Sequence, residues 1–150
     1  MSAGADTSAR ECLHSRLIDA PRERVFAAIA DPRQLARWWG PNGFTSTFES
    51  FDFRPGGRWR FVLHGPDGTD YPNENVFEQI VAPACVVVDH PSDSHHFVLT
   101  IMLDDEGGRT RVGWRQVFDT AEHRDHVAPV VAAANEQNLD RLAAVVRDSA

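Results

Sequence analysis

Tyr71, Asn73, Asn75 and Gln79 recur at even spacing through "YPNENVFEQ". On an extended chain, residues two apart share a face. A phenol and three amides on one face can orient a ligand and polarise a carbonyl group. None of them is a ready general base near neutral pH, and Glu74 and Glu78 fall on the opposite face. The chemistry on offer is binding and orientation, which favours a protein that holds a molecule over one that turns it over.

Seven histidines raise the question of a metal. His95 and His96 are neighbours on an extended segment, point to opposite faces and cannot share an ion. His123 and His126 stand three apart near the start of a helix and could reach one ion with Asp119 or Glu122 nearby. That helix end is expected to face solvent, so a solvated pair is the better reading. His64 falls beside arginines on an outward face, and His90, just before Pro91, reads as a loop residue. No metal and no cofactor is therefore expected. All fifteen basic residues are Arg, so a Schiff-base or P-loop lysine is not available. No Ser-His-Asp order, G-x-S-x-G elbow or C-x-x-C pattern is present, and Cys12 and Cys85 read as two buried, reduced thiols.

Aromatic residues gather where such a row could use them. "LARWWGPNGF", residues 35 to 44, sets Trp38 and Trp39 at the end of a helix-like segment and then turns at once. Neighbours on a helix point about 100° apart, so the pair cannot share one environment. Either both fill core, or Trp38 packs against the preceding helix while Trp39 faces the mouth of a cavity. In "GRWRFVLH", Trp59, Phe61 and Leu63 take one face and Arg58, Arg60 and His64 the other. Phe97, Leu99, Ile101 and Leu103 share a face of the next-to-last strand, as do Val112, Trp114, Gln116 and Phe118 of the last. Gln116 and Asn135 are expected to face the same interior as the amide row.

The elements that must position these residues follow from period and punctuation. "RECLHSRLID" alternates as a strand. Pro21 and Pro32 each open a short helix, with Asp31-Pro32 as the break between them. From Gly43 six segments of period two succeed one another, joined by "RPGG", "GPDGT", "PSDS" and "DEGG" turns. Residues 120 to 148 form one long helix with Val127, Val131, Leu139, Leu142 and Val146 on its apolar face and Pro129 near its start. The fold class is α+β: a curved antiparallel sheet of about seven strands, two short helices between strands 1 and 2, and a C-terminal helix across one face. A sheet wrapped around one helix tends to leave space between them.

The chain has 150 residues, 42% hydrophobic and 25% charged, which suits a single domain over residues 10–150 behind a flexible segment at 1–9. Its net charge of −7 would repel nucleic acid and anionic membrane surfaces. The opening "MSAGADTSAR" lacks the apolar stretch of a signal peptide, and no later run is long enough to insert in a membrane, so a cytoplasmic location is expected.

The words "APRERVFAAIADPRQLARWWGPNGF", "RPGGRWRF", "GPDGTDYP" and "NEQNLDRL", in this order, resemble the single-domain bacterial members of the activator of heat-shock protein 90 ATPase family. That family lies in the START-like, or SRPBCC, superfamily, and the resemblance runs from about Arg10 to about Val146. It implies a helix-grip fold. Where many relatives carry a Trp in the terminal helix this chain has Asn135, and where they carry a Glu after the aromatic of the fourth strand it has Gln79. The resemblance implies three functions, in order of preference: binding of a small hydrophobic or aromatic molecule between sheet and terminal helix, aromatase or cyclase chemistry on a polyketide-like substrate, and co-chaperone activation of an ATPase. The residues expected to meet the ligand are Trp39, Trp59, Phe61, Tyr71, Phe97, Trp114, Gln116 and Asn135. The expected partner is that small molecule, with a homodimer left open.

Overall fold

A computed structural model describes residues 6–149. The first strand, β1 (Glu11–Ile18), is followed by α1 (Arg22–Ala30) and α2 (Pro32–Trp38). Six strands succeed them: β2 (Thr45–Phe51), β3 (Arg58–His64), β4 (Asp70–Val81), β5 (Cys85–His90), β6 (Phe97–Glu106) and β7 (Arg109–Phe118). The chain ends in α3 (Ala121–Asp148). The flexible segment expected over 1–9 falls largely on residues 1–5, which lie outside the described residues. Ser8–Arg10 form one 3-10 turn, and the Thr7 hydroxyl donates to Glu11 and accepts from Arg115.

The seven strands form one sheet in the order β1-β7-β6-β5-β4-β3-β2, antiparallel throughout. From β2 onward the chain is a meander, and β7 closes back on β1. The β6–β7 hairpin shows how the turn chemistry sets register. Glu106 pairs with Arg109 across a loop of only Gly107 and Gly108, at φ 69° and 88°. Two successive left-handed residues are what a two-residue turn matched to strand twist requires, and glycine adopts that backbone at least cost.

The helices begin where capping chemistry puts them. Pro32 occupies the first position of α2 while the Asp31 carboxylate accepts from Arg33 N–H at 2.9 Å. The Thr120 hydroxyl does the same for His123 N–H at the start of α3. Each cap satisfies a donor that the helix cannot. At the other end of α2 the two tryptophans separate. Trp38 is fully buried and its Nε1–H donates to Ala28 O of α1 at 2.9 Å, whereas Trp39 turns towards the sheet.

Helix α3 does not lie over the middle of the sheet. It packs chiefly on β1, with further contacts to α1, α2 and β7. Polar links fasten it there: Arg16 of β1 reaches Asp140 at 2.6 Å and Glu136 at 3.0 Å, and His14 reaches Glu136 at 2.6 Å. Beneath them Leu139, Leu142 and Val146 are fully buried beside Val112 and Trp114. Three residues of α3 also hold the loop that follows α2. Asn138 Oδ1 accepts from Gly40 N–H at 2.9 Å, and Gln137 Oε1 accepts from Asn42 N–H at 3.0 Å. The Arg141 guanidinium donates to the carbonyls of Arg37, Gly40 and Pro41 at 2.7 to 3.0 Å. With the helix tied to one side of the sheet, the ground between it and strands β3 to β6 is left to smaller contacts.

Removing the buried member of this clamp should cost more than removing the exposed one. Asn138→Ala leaves the Gly40 N–H buried without an acceptor, so its urea midpoint should fall by the equivalent of about 1–3 kcal/mol. Gln137→Ala returns the Asn42 N–H to water and should cost about 0.5 kcal/mol or less. Equal losses would mean that burial of the clamp contributes nothing.

Candidate functional site

A cavity of about 240 Å³ occupies the space between α3 and the sheet. The loop after α2 closes one side with Trp39, Gly40 and Pro41, and α3 supplies Val131, Ala134, Asn135 and Asn138. The floor comes from alternate residues of five strands: Phe61 and Leu63, Asn73 and Asn75, His90, Phe97 and Leu99, Trp114 and Gln116. His95, between β5 and β6, completes it. Among these lining residues no side chain is Asp, Glu, Lys or Arg, and none carries a hydroxyl or a thiol.

Of the residues expected to meet a ligand, the structure brings Trp39, Phe61, Phe97, Trp114, Gln116 and Asn135 to this one cavity. Trp39 is the hinge of the aromatic wall. Its ring centroid lies 4.8 Å from Trp59, 6.1 Å from Trp114 and 5.7 Å from Trp38. Gly40, at φ 108°, lets the chain double back directly after it; a Cβ there would press on Leu63 Cδ2 at 3.2 Å. On the opposite wall Asn135 Nδ2 donates to Gln116 Oε1 at 3.0 Å, so helix and sheet meet through a buried amide pair. Trp114 is 3% exposed, and its Nε1–H is buried with no acceptor in the protein.

Two of the expected residues lie elsewhere. Trp59 sits behind Trp39, stacked on Phe61 at 4.7 Å and parallel to Phe77 at 5.9 Å, in a cluster with Phe48 and Phe51. It supports the wall without lining it. Tyr71 pairs with Leu63 at the outer end of the β3–β4 hairpin, where its ring lies 6.1 Å from Phe44 and is 44% exposed. The strand has by then run past the helix. Gln79 departs from the amide row for another reason. A β-bulge between Phe77 and Gln79 inserts an extra residue against β5, so the phase reverses and Ile80, not Gln79, points inward with Val86 and Val88.

In place of the phenol the cavity receives two imidazoles, contrary to the loop reading of His90. His90 is the last residue of β5 and shares the inward face of Val86 and Val88. Its Nδ1 lies 2.8 Å from Asn75 Oδ1, and its ring stacks on Phe97 at 4.8 Å. Asn75 is 1% exposed and belongs to the strand beside it. His95 and His96 do point apart. His95 turns inward and its Nδ1 meets His123 Nε2 at 2.9 Å; His96 turns outward between Asp89 and Asp119, at 2.7 Å from each. His123 therefore pairs with His95 rather than with His126, which is exposed. The alternation Val86, Val88, His90 and Phe97, His95 was the signal that placed both rings.

Burial pushes the His90 pKa below its ordinary value of 6.5, and the nearby His95 and His96 push the same way against an opposing pull from Asp89. Burial, then His123, lowers that of His95. The bond to Asp119, aided by Asp89 against partial burial, raises that of His96. At neutral pH the cavity is lined by uncharged groups alone, while the imidazole whose charged form is favoured is kept outside. Asp93, Ser94, His96, Asp119 and His123 border a separate outer groove, so His123 touches both the groove and the cavity's own His95.

The family described as "Activator of Hsp90 ATPase homolog 1-like protein" matches residues 19–147. Among solved structures, the solution NMR structure of a protein from Arthrobacter aurescens is 29% identical, with a TM-score of 0.87 over 98% of this chain and 91% of that one. A crystal structure of a protein from Nitrosomonas europaea is 16% identical, with a TM-score of 0.88 over 99% and 100% of the two chains. A third, from Chromobacterium violaceum, is 24% identical, with a TM-score of 0.80 over 90% and 96%. No curated protein matches the chain significantly. Among the described residues no helix is long and apolar enough to cross a membrane. The match over residues 19–147, the seven-stranded sheet and the single long helix that grips it agree in one conclusion: the chain belongs to the activator of Hsp90 ATPase homologue family and has its START-like, helix-grip fold.

Proposed function

We propose that the chain is a binding protein that encloses one small, uncharged, apolar or aromatic molecule between the sheet and α3. The observation that carries this reading is the cavity itself: about 240 Å³, walled by Trp39, Phe61, Phe97 and Trp114, with no charged side chain on its lining. An apolar cavity of about 150 Å³ accepts benzene, and sites for drug-sized molecules run from about 300 Å³ upward. A molecule of two or three rings is the size that fits. Its aromatic faces would meet Trp39 and Trp114, and one polar substituent would find Gln116, Asn135, the Trp114 indole N–H or the imidazoles. The helix-grip fold generally binds hydrophobic ligands, which supports the same conclusion. A charged ligand would enter without a counter-ion, at a cost of several kcal/mol.

A neutral probe, N-phenyl-1-naphthylamine, should quench tryptophan fluorescence saturably at one site per chain. Linear quenching without saturation would contradict the reading. Trp39→Ala should weaken that binding by about 1–3 kcal/mol in a folded protein, the scale of one large apolar contact. Trp114→Ala should cost about 3–5 kcal/mol of stability, because its ring lies under the helix in the core. Equal unfolding by both would make Trp39 a core residue only.

Binding of the neutral probe should be constant from pH 8 to pH 7 and weaken as the pH falls below 6.5. The sign follows from the lowered values of His90 and His95: both stay neutral above 6.5, and protonation places a buried charge beside the probe only below it. A titration in which affinity rises towards pH 5 would contradict the placement of the two rings.

A further inference from the structure

We propose that His90 and His95 form an acid–base pair that enolises a small neutral ketone held in the cavity. The inference rests on the binding reading and goes beyond it, from holding a molecule to moving a proton on it.

The geometry separates the two rings by role. Asn75 Oδ1 can only accept, so the His90 Nδ1 facing it at 2.8 Å carries the hydrogen and donates. Nε2 of His90 is then a bare lone pair, the form a general base requires. Asn75 is 1% exposed and fixed in β4, and Phe97 stacks on the ring from β6, so tautomer and orientation are both held. His95 has its Nδ1 committed to His123 Nε2 at 2.9 Å, and one hydrogen lies between the two nitrogens. When His123 donates that hydrogen, Nε2 of His95 bears its own and is a donor. His123 also borders the outer groove with Asp93, Ser94, His96 and Asp119, where solvent exchanges its hydrogens. The ring centroids of His90 and His95 stand 6.3 Å apart on one wall, close enough for a single functional group to reach both.

The lining narrows the reaction. It holds no hydroxyl, thiol or carboxylate, so the imidazoles are the only lining side chains that can take a proton near neutral pH. It holds no charged side chain, so the substrate is neutral. A base and a hydrogen-bond donor side by side suit proton removal next to a carbonyl. Nε2 of His90 takes the α-proton as the C–H bond breaks. The C–H electron pair becomes the C=C bond of the enolate, and the carbonyl π pair moves to oxygen, which accepts from His95 Nε2–H. The imidazolium of His90 then exchanges its Nε2 hydrogen with solvent, and the reverse steps return the ketone.

The groups facing His90 are Asn75 of β4, Asp89 beside it in β5, and His95, His96 and Phe97 from the β6 side; His123 of α3 faces His95. Burial lowers His90, which keeps the base unprotonated at neutral pH.

2-Tetralone in D₂O is the probe, with loss of its C1 proton signals followed by NMR and its affinity read from tryptophan quenching. The wild-type protein should exchange these protons about a hundredfold faster than an equal concentration of free imidazole. His90→Gln should lose most of that acceleration while the affinity changes less than about threefold, and His95→Gln should lose a smaller part. The wild-type rate should rise with pH through one titration below 6.5 and level off above it. That profile decides the matter even if a variant fails to fold, because uncatalysed exchange keeps rising with hydroxide. Saturable binding with exchange no faster than free imidazole would overturn the acid–base pair and leave the binding reading standing. Unchanged acceleration in folded His90→Gln would overturn the assignment of the base. No saturable binding of either 2-tetralone or the naphthylamine would overturn both.

Discussion

A backbone that turns sharply between a helix and a strand leaves polar groups that it cannot pair itself, and here the long helix supplies their partners. Asn138, Gln137 and Arg141 bind the N–H and carbonyl groups of residues 37 to 42, one helical turn delivering all three side chains to one loop. The rest of the site depends on that clamp. It sets where Trp39 stands, and Trp39 sets where the wall of the cavity stands. Arg141 loses part of its hydration in doing so, and burial lowers its pKa, but a guanidinium remains charged and three carbonyls accept from it.

The same helix is tied to the sheet on one side only. Ion pairs from Arg16, a hydrogen bond from His14 and the buried leucines hold it over β1, so the opposite flank must be filled by side chains or left open. The chain does both. A stack of Phe48, Phe51, Phe53, Phe77 and Trp59 fills the end near β2, and the cavity takes the remainder. Most of its polar side chains make one hydrogen bond within the protein: Asn135 with Gln116, Asn138 with the loop, Asn75 with His90, His95 with His123. The indole N–H of Trp114 makes none, and a buried donor without an acceptor is costly enough to favour a ligand that brings one. Charge is excluded inward and retained outward, with His96 held between two aspartates a residue away from neutral His95.

How far this was legible in the sequence differs by residue, for physical reasons. Period two in Trp59, Phe61, Leu63 and in Val112, Trp114, Gln116 translated directly into an inward face, because neither strand carries a bulge of its own; the irregularity opposite Phe61 lies in β2. Proline and glycine marked the helix starts and the tight hairpin. Gln79 was misplaced because the bulge that reverses its phase leaves no mark in the pattern of residue types. Tyr71 has the right phase, but distance along the strand carries it past the helix, and alternation says nothing about length. His90 and His95 were readable in principle by continuing the alternation of Val86 and Val88 and of Phe97. The adjacent Pro91 and the "PSDS" turn argued for loop, and the partners that orient the two rings, Asn75 and His123, are 15 and 28 residues away.

The central claim is that one neutral aromatic molecule lies between the sheet and α3, against Trp39 and Trp114. A crystal structure of the protein with N-phenyl-1-naphthylamine tests it most directly. The account requires electron density for one dye in the cavity, its rings against Trp39 and Trp114 and its N–H directed to an acceptor among the amides or imidazoles, with the Asn138 and Arg141 bonds to the loop intact. Dye bound instead at the exposed Tyr71 and Phe44, with the side chains of the cavity collapsed onto one another, would contradict it.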